Sequence, residues 1–281
     1  YCKSTLKGAF NLQGKKILVD AANGANYKIT PMLLRELGAD VISINCDPDG
    51  FNINENCAVL KNELFDEYVK EYDVDYCVAV DGDGDRLILS DGEGRVLSGD
   101  DILYVLAARN KIQGKESSEK VVGTEMTNQG TIDALKKIDI ECIRTKVGDK
   151  FISRELVKND LNLGTEPSGH IIQREFSESG DANIALIQTL SALSEMDLNV
   201  KDIHSKIDYK PQALMNFEVE DLALIESNEF CSDLEKLKSD HSDARISIRK
   251  SGTQPIIRAM VEAQTDSDKE AIFSKIKSLI K

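Results

Sequence analysis

From Lys16 to Leu193 short apolar runs alternate with longer stretches whose apolar residues recur at helical spacing, and this alternation restricts the chain to α/β architecture. Lys16–Asp20 predicts a buried strand, followed by a tight loop at Ala21-Ala22-Asn23-Gly24-Ala25. Thr30 is placed to cap a helix with Pro31 at its first position; Met32, Leu33, Leu34 and Leu37 keep helical spacing, and Gly38 supplies the stop. Residues 41–44 predict the next strand, and a polar loop with Asp47-Pro48-Asp49-Gly50 and Asn52-Ile53-Asn54 follows. A helix is expected over 60–72 and a strand over Tyr76–Val80.

A hairpin turn is predicted at 90–95 and a helix over 100–108 that Asp100 or Asp101 can cap. Strands at 120–123, 140–144 and from 161 to 164 then alternate with helices at 128–137 and Asp149–Lys158, and an amphipathic helix is expected over 184–193. Near Ile207-Asp208-Tyr209-Lys210-Pro211 the pattern changes. Strands are expected at 214–219, 244–248 and 256–261, with helices at 222–237 and 267–280. The expected organisation is two consecutive α/β domains, 1–97 and 98–205, followed by a small α+β domain, 206–281.

The formal net charge of −14 and the lack of a long Lys/Arg run argue against a nucleic-acid partner. No apolar run reaches membrane-spanning length, and the first residues do not resemble a signal peptide. Six scattered cysteines without a Cys-x-x-Cys pair fit reduced thiols in a cytoplasmic protein.

The chemistry concentrates at Asp81-Gly82-Asp83-Gly84-Asp85-Arg86, between the apolar runs at 76–80 and 87–89. Alternate residues on extended backbone point the same way, and the glycines let the chain bend until three carboxylates converge. Three converging oxygens suit a hard divalent cation such as Mg²⁺, with Arg86 as a fixed cation beside them. A solvated Asp/Gly turn is the plainer reading. An EF-hand fails on two counts, because Arg86 stands where its glycine belongs and Gly92 where its bidentate Glu belongs.

Three further stretches can carry function. Arg249-Lys250-Ser251-Gly252-Thr253-Gln254-Pro255, with Arg258 beyond, combines cations, hydroxyls and a glycine suited to a phosphate, or forms a basic turn between strands. Gly164-Thr165-Glu166-Pro167-Ser168-Gly169-His170 sets Glu166 and Ser168 at alternate positions, able to face a sugar hydroxyl or amine, beside a histidine that is either structural or a proton carrier. Thr145-Lys146-Val147-Gly148-Asp149-Lys150 opens a helix whose free N–H groups could hold an anion, or is an ordinary helix start.

The loop at 81–86 resembles the metal loop of the α-D-phosphohexomutases, and the whole chain most resembles the bacterial phosphoglucosamine mutase branch of that superfamily. The 249–255 stretch resembles its phosphate-binding loop, with Gln254 in place of the usual Glu; 164–170 resembles its sugar loop Gly-Glu-x-Ser-Gly-His, with Thr165 before the Glu and Pro167 at the variable position. Thr145 to Lys150 resembles the Thr-x-Val-Gly-Asp motif at the family's cleft. Ser179-Gly180-Asp181 resembles Thr-Gly-Asp-Gly, with Ala182 replacing the last glycine, and Asn23-Gly24-Ala25 matches the family's Asn-Gly-Ala turn; both are expected to be structural.

The resemblance implies three-layer α/β domains, the family's second and third, ahead of its fourth domain. It assigns Asp81, Asp83 and Asp85 to Mg²⁺, and Arg86 and His170 to catalysis. Glu166, Ser168, Lys150, Arg249, Ser251, Gly252, Thr253 and Arg258 would bind the substrate. Phosphohexomutases carry a phosphorylated serine in their first domain, and no Ser-His-Asn-Pro-like loop occurs here. With Tyr rather than Met at position 1, a fragment is expected, inactive alone, whose complete form could pair as a homodimer through that domain. The implied reaction interconverts glucosamine 6-phosphate and glucosamine 1-phosphate through a hexosamine bisphosphate intermediate, for UDP-N-acetylglucosamine and peptidoglycan precursors. Ser251-Gly252-Thr253 favours this branch over phosphomannomutase/phosphoglucomutase, which tends to carry Asn at the Gly252 position. A non-catalytic module binding Mg²⁺ and a phosphosugar is the third reading.

Overall fold

The computed structural model describes residues 1–219, 221–251 and 255–280. Lys16–Asp20 (β1), Asp40–Ile44 (β2) and Tyr76–Val80 (β3) are parallel strands, connected through the helices Ile29–Glu36 (α1) and Leu64–Glu71 (α2). Leu87–Asp91 (β4) and Val96–Leu97 (β5) extend the sheet antiparallel, giving the order β2-β1-β3-β4-β5. The carboxyl ends of β1 and β3 therefore lie at one edge, where open α/β sheets present ligand-binding loops.

Local chemistry explains where the helices depart from expectation. Thr30 does not cap α1, which begins a residue earlier; its buried hydroxyl donates to Asn183 Oδ1 at 2.6 Å instead. Pro31 still falls in the first turn, where its missing N–H costs nothing. Gly38, at φ +98°, ends the helix as predicted. Helix α2 starts later than residue 60, because the preceding segment is held in turns, with the Ala58 N–H donated to Asp20 Oδ2.

Gly99–Ile112 (α3) is capped by Ser98 rather than Asp100 or Asp101. Asp101 sits at the third helical position, where its carboxylate accepts the Ser98 N–H at 2.7 Å, closing a capping box. Lys120–Thr124 (β6), Glu141–Thr145 (β7), Leu163–Thr165 (β8) and the antiparallel Ile171–Gln173 (β9) form a second sheet in the order β7-β6-β8-β9. Its helices are Gln129–Lys137 (α4), Asp149–Lys158 (α5), Ala182–Glu195 (α6) and Val200–Lys206 (α7). Helix α6 is not amphipathic: every residue from Ala182 to Leu193 is buried, polar ones included. One apolar core carries Val19, Val80 and Leu87 together with Leu103, Leu163 and Leu186, so both α/β sheets close on the same interior.

Tyr1–Thr127 and Thr131–Asp208 make one unit; Asn128–Gly130 and Tyr209–Lys281 make the other. In the second unit Gln212–Glu218 (β10), Arg245–Lys250 (β11) and Ile256–Glu262 (β12) form an antiparallel sheet in the order β10-β12-β11. Asn228–Asp240 (α8) and Asp266–Ile280 (α9) complete its core through Phe230, Leu237, Ile272, Phe273 and Ile276. The single helix expected over 222–237 is broken at Ser227, whose hydroxyl caps α8 by accepting the Phe230 N–H at 3.2 Å. Among the described residues, no helix is long and apolar enough to cross a membrane.

Candidate active site and metal loop

Strand β3 delivers Asp81 to its carboxyl end, and the chain turns back into β4 at Leu87. Gly84 makes the turn at φ +79°, its N–H donating to Asp81 O at 3.1 Å. Asp81 Oδ1 accepts the backbone N–H groups of Asp85 (3.1 Å) and Arg86 (3.0 Å). The result brings one oxygen from each of Asp81, Asp83 and Asp85 within 4.8 Å of one another, with Asp81 buried and Asp83 exposed. Burial pushes the Asp81 carboxyl up to about 6, against the Arg86 N–H that favours the ionised form, and the Asp85 and Asp83 carboxylates push it the same way. Asp85 Oδ1 is buried without a hydrogen-bond partner. A crowded, oxygen-only donor set with an orphaned buried oxygen fits a hard divalent cation. Arg86 Nε stands 3.6 Å from Asp81 and 3.8 Å from Asp85.

The frame around this loop comes from residues far away in sequence. Asn54, in the left-handed region at φ +61°, accepts the Gly82 N–H at 2.8 Å through its side chain, while its backbone N–H donates to Ala22 O. Ala25 N–H donates to Gly82 O at 2.8 Å. A Cβ on Gly24 would lie 2.3 Å from that same oxygen, so the Asn-Gly-Ala turn is structural in a specific sense: it seats the Asp81–Arg86 loop.

The sugar-loop candidate lies against the Asp81–Arg86 loop. Arg86 and His170 face each other in an antiparallel bridge, and Leu87 N–H donates to Gly169 O at 2.9 Å. The buried His170 ring points Nδ1 at Asp85 Oδ2, 3.1 Å away, and its buried Nε2 has no partner. Gly180 walls off that nitrogen, since a Cβ there would lie 2.6 Å from His170 Cε1. Asp181 caps α6 by accepting the N–H groups of Asn183 and Ile184. The Ala182 N–H donates to Gly84 O at 3.0 Å, a backbone bond that alanine makes as well as glycine.

Glu166 Oε1 accepts the Gly148 N–H at 2.8 Å, and Ser168 Oγ stands 3.5 Å from the other carboxylate oxygen. The N-cap of α5 thus faces a carboxylate from its own chain. Lys150 lies in that first turn with its ammonium 5.1 Å from the Phe151 ring. Gly99 brings α3 against the same loop; a Cβ there would lie 1.8 Å from Glu166 O.

In the second unit Arg249 on β11 is paired in register with Arg258 on β12, which sets both guanidinium side chains on one face of the sheet. Ser251 N–H donates to Ile256 O at 2.9 Å and closes the base of the intervening loop. Gly252 and Thr253, with Gln254, lie outside the described residues.

Sequence models of three consecutive domains of phosphoglucomutase/phosphomannomutase match the chain: α/β/α domain II over residues 1–94, α/β/α domain III over 98–209, and the C-terminal domain over 214–278. The chain belongs to this phosphohexomutase family. Among its relatives, phosphoglucosamine mutase of Thermodesulfovibrio yellowstonii is 40% identical over 99% of the chain and 63% of that protein. Phosphoglucosamine mutase of Macrococcus caseolyticus is 36% identical over 100% of the chain and 63% of that protein. The chain therefore spans 63% of the length of these two curated relatives. A crystal structure of N-acetylglucosamine-phosphate mutase in its substrate complex shares the fold at TM-score 0.77 and 20% identity, covering 100% of this chain and 63% of that one. The Aspergillus fumigatus N-acetylphosphoglucosamine mutase, solved with GlcNAc-6P and magnesium, does so at TM-score 0.77 and 19% identity, covering 96% and 66%.

For this phosphohexomutase chain, contiguous motifs announced the acidic and basic side chains. Residues that frame these loops were not singled out as site residues: Asn54, Gly99 and Gly180. Asn54 shows only an asparagine in a turn, Gly99 opens α3, and Gly180 lies in the stretch that resembles a family motif.

Proposed function

We propose that the chain carries the metal, sugar and phosphate sites of a phosphoglucosamine mutase, an isomerase interconverting glucosamine 6-phosphate and glucosamine 1-phosphate for amino-sugar and peptidoglycan precursor synthesis. The observation that carries the proposal is the convergence of Asp81, Asp83 and Asp85 within 4.8 Å on a loop bridged directly to His170. The 36–40% identity to phosphoglucosamine mutases favours this branch over phosphomannomutase/phosphoglucomutase. The proposed domains are 1–97, 98–205 and 206–281, and six free cysteines suit a cytoplasmic protein.

Asp81, Asp83 and Asp85 would hold Mg²⁺, which when bound neutralises charge on a transferring phosphoryl group. Glu166, oriented by the Gly148 N–H, and Ser168 would hold the sugar's hydroxyl and amine groups. His170, held through Nδ1 by Asp85, would act beside the carboxylates as the catalytic imidazole. Arg86 would place a permanent cation beside the phosphoryl group, and Lys150 would add a second contact. Arg249, Ser251 and Arg258, with Gly252 and Thr253 in the same stretch, would grip the non-reacting phosphate in both orientations of the bisphosphate. The phosphoserine that starts the cycle would come from residues beyond these 281.

The test is a mutase assay with Mg²⁺ and a bisphosphate activator on glucosamine 1-phosphate, glucose 1-phosphate and mannose 1-phosphate. The chain is run beside a version extended by a family-type first domain. Turnover only in the extended protein, fastest on the glucosamine phosphate, is expected. A preference for glucose or mannose moves the protein to the rival branch. No turnover in either leaves a binding module.

A further inference from the structure

A polar relay, buried at Thr30 and Asn183 and half-buried at Asn26, runs from α6 to the Asp81–Arg86 loop. Asn183 Oδ1 accepts the Thr30 hydroxyl at 2.6 Å, and Asn183 Nδ2 donates to Asn26 Oδ1 at 3.0 Å. The Asn26 amide fills the space beside Gly84: a Cβ there would lie 2.2 Å from Asn26 Nδ2. Thr30 N–H donates to Asn26 O at 3.2 Å, and Ala182 N–H donates to Gly84 O at 3.0 Å. Thr30 is wholly buried, and Asn183 is 5% exposed. Side-chain amides of this kind add little net stability over an apolar filling, but their hydrogen bonds are directional and favour one geometry. The geometry fixed here is the left-handed turn at Gly84, the residue between Asp83 and Asp85.

We infer that Asn26 and Asn183 are positioning residues for the metal loop: the relay from α6 wedges the Gly84 turn so that Asp83 and Asp85 converge on Asp81. The inference rests on the proposal that the loop binds a divalent cation. A role confined to joining α1 to α6 would alter stability alone. Gln188 supplies the comparison, because it makes a similar buried link from α6, donating to Thr5 O (3.0 Å) and Thr5 Oγ1 (2.9 Å), away from the Asn26–Asn183 pair.

The experiment titrates Mn²⁺ into the 281-residue chain by electron paramagnetic resonance, with far-UV circular dichroism to verify folding. Removing a group that orients metal ligands typically weakens affinity by about 10–100-fold, and that loss is expected for both Asn26→Ala and Asn183→Ala. Because the two act in series, the double variant should lose no more than the weaker-binding single variant. Gln188→Ala should lower the unfolding temperature and leave Mn²⁺ affinity unchanged. Affinity within about twofold of wild type in folded Asn183→Ala overturns the inference, and this variant carries the test if Asn26→Ala does not fold. Additive losses in the double variant, or an equal loss in Gln188→Ala, overturn it too. No Mn²⁺ binding by the wild-type chain overturns the cation proposal and this inference with it, whereas normal binding in both asparagine variants overturns the inference alone.

Discussion

Replacing Asp20 by Asn keeps the shape of the most heavily hydrogen-bonded carboxylate under the metal loop and changes one oxygen to an NH₂ group. The wholly buried Asp20 accepts four bonds. Oδ1 takes the Ala22 N–H at 3.0 Å and Asn45 Nδ2 at 2.9 Å; Oδ2 takes the Ala58 N–H at 2.7 Å and the Tyr68 hydroxyl at 3.0 Å. With the new NH₂ in the Oδ2 place, Tyr68 can rotate its hydroxyl to accept, but the Ala58 N–H cannot. With the NH₂ in the Oδ1 place, Asn45 can turn its amide over only by giving up its bond to Asn56 O, and the Ala22 N–H is still stranded.

Either orientation leaves one buried backbone N–H unpaired, at about 1–3 kcal/mol. The surviving bonds also fall from charge-assisted to neutral, roughly halving their strength, so the total loss is about 2–5 kcal/mol. That is a large share of the 5–15 kcal/mol typical of a folded domain. Tyr68→Phe, which deletes one bond and strands nothing, should cost about 1 kcal/mol. Urea unfolding followed by far-UV circular dichroism measures both. If Asp20→Asn loses less than about 1 kcal/mol, or no more than Tyr68→Phe, the donor-counting argument is wrong.

Asp83→Asn should abolish metal-dependent turnover in the complete enzyme with little change in stability, since that carboxylate is exposed; retained activity in Mg²⁺ would remove the three-carboxylate assignment. Gly99→Ala drives a Cβ to 1.8 Å from Glu166 O and should cost about 1–3 kcal/mol while raising the KM for sugar phosphate, measurable by thermal unfolding and steady-state kinetics; an unchanged KM would separate α3 from the sugar loop. For Asp75, burial acts to raise the pKa, but the Lys16 N–H and the Lys15 ammonium outweigh it and hold the carboxyl below its usual value. A depressed folded pKa means that its stabilisation is present above the unfolded value near pH 4 and is lost as pH falls below it. Asp75→Asn should therefore unfold more readily than wild type at pH 7 and converge with it in acid; parallel pH–stability curves would contradict that sign.

The strands were legible because burial on both faces demands continuous apolar runs, as in Tyr76-Cys77-Val78-Ala79-Val80, and the structure returns that strand at its predicted limits. Helix ends were read less well where a side chain had a tertiary use. Thr30 has the composition of a cap, but its hydroxyl is committed to Asn183, 153 residues away. Helix α6 departs from the expected amphipathic pattern because its polar residues Gln188, Thr189 and Ser191 are buried along with the apolar ones. Of the three, only Gln188 is satisfied by a distant residue, Thr5, and periodicity cannot reveal such a partner.

The same division runs through the site. Carboxylates that converge on a loop can be consecutive in sequence, because alternate residues and intervening glycines suffice, so 81–86 carries its chemistry openly. Their supports cannot be consecutive. A loop at the end of a central strand is flanked by the ends of neighbouring elements, and here these contribute Asn26, Asn54, Gly169, Gly180 and Ala182, spread over more than half the chain. Each acts through its backbone, a small amide or a missing Cβ. Those are the residue types that also make ordinary turns, so composition gives them no distinguishing mark. A loop can keep all three aspartates and still lose the arrangement that makes them a site, if a methyl group is added at Gly24, where it would meet Gly82 O at 2.3 Å.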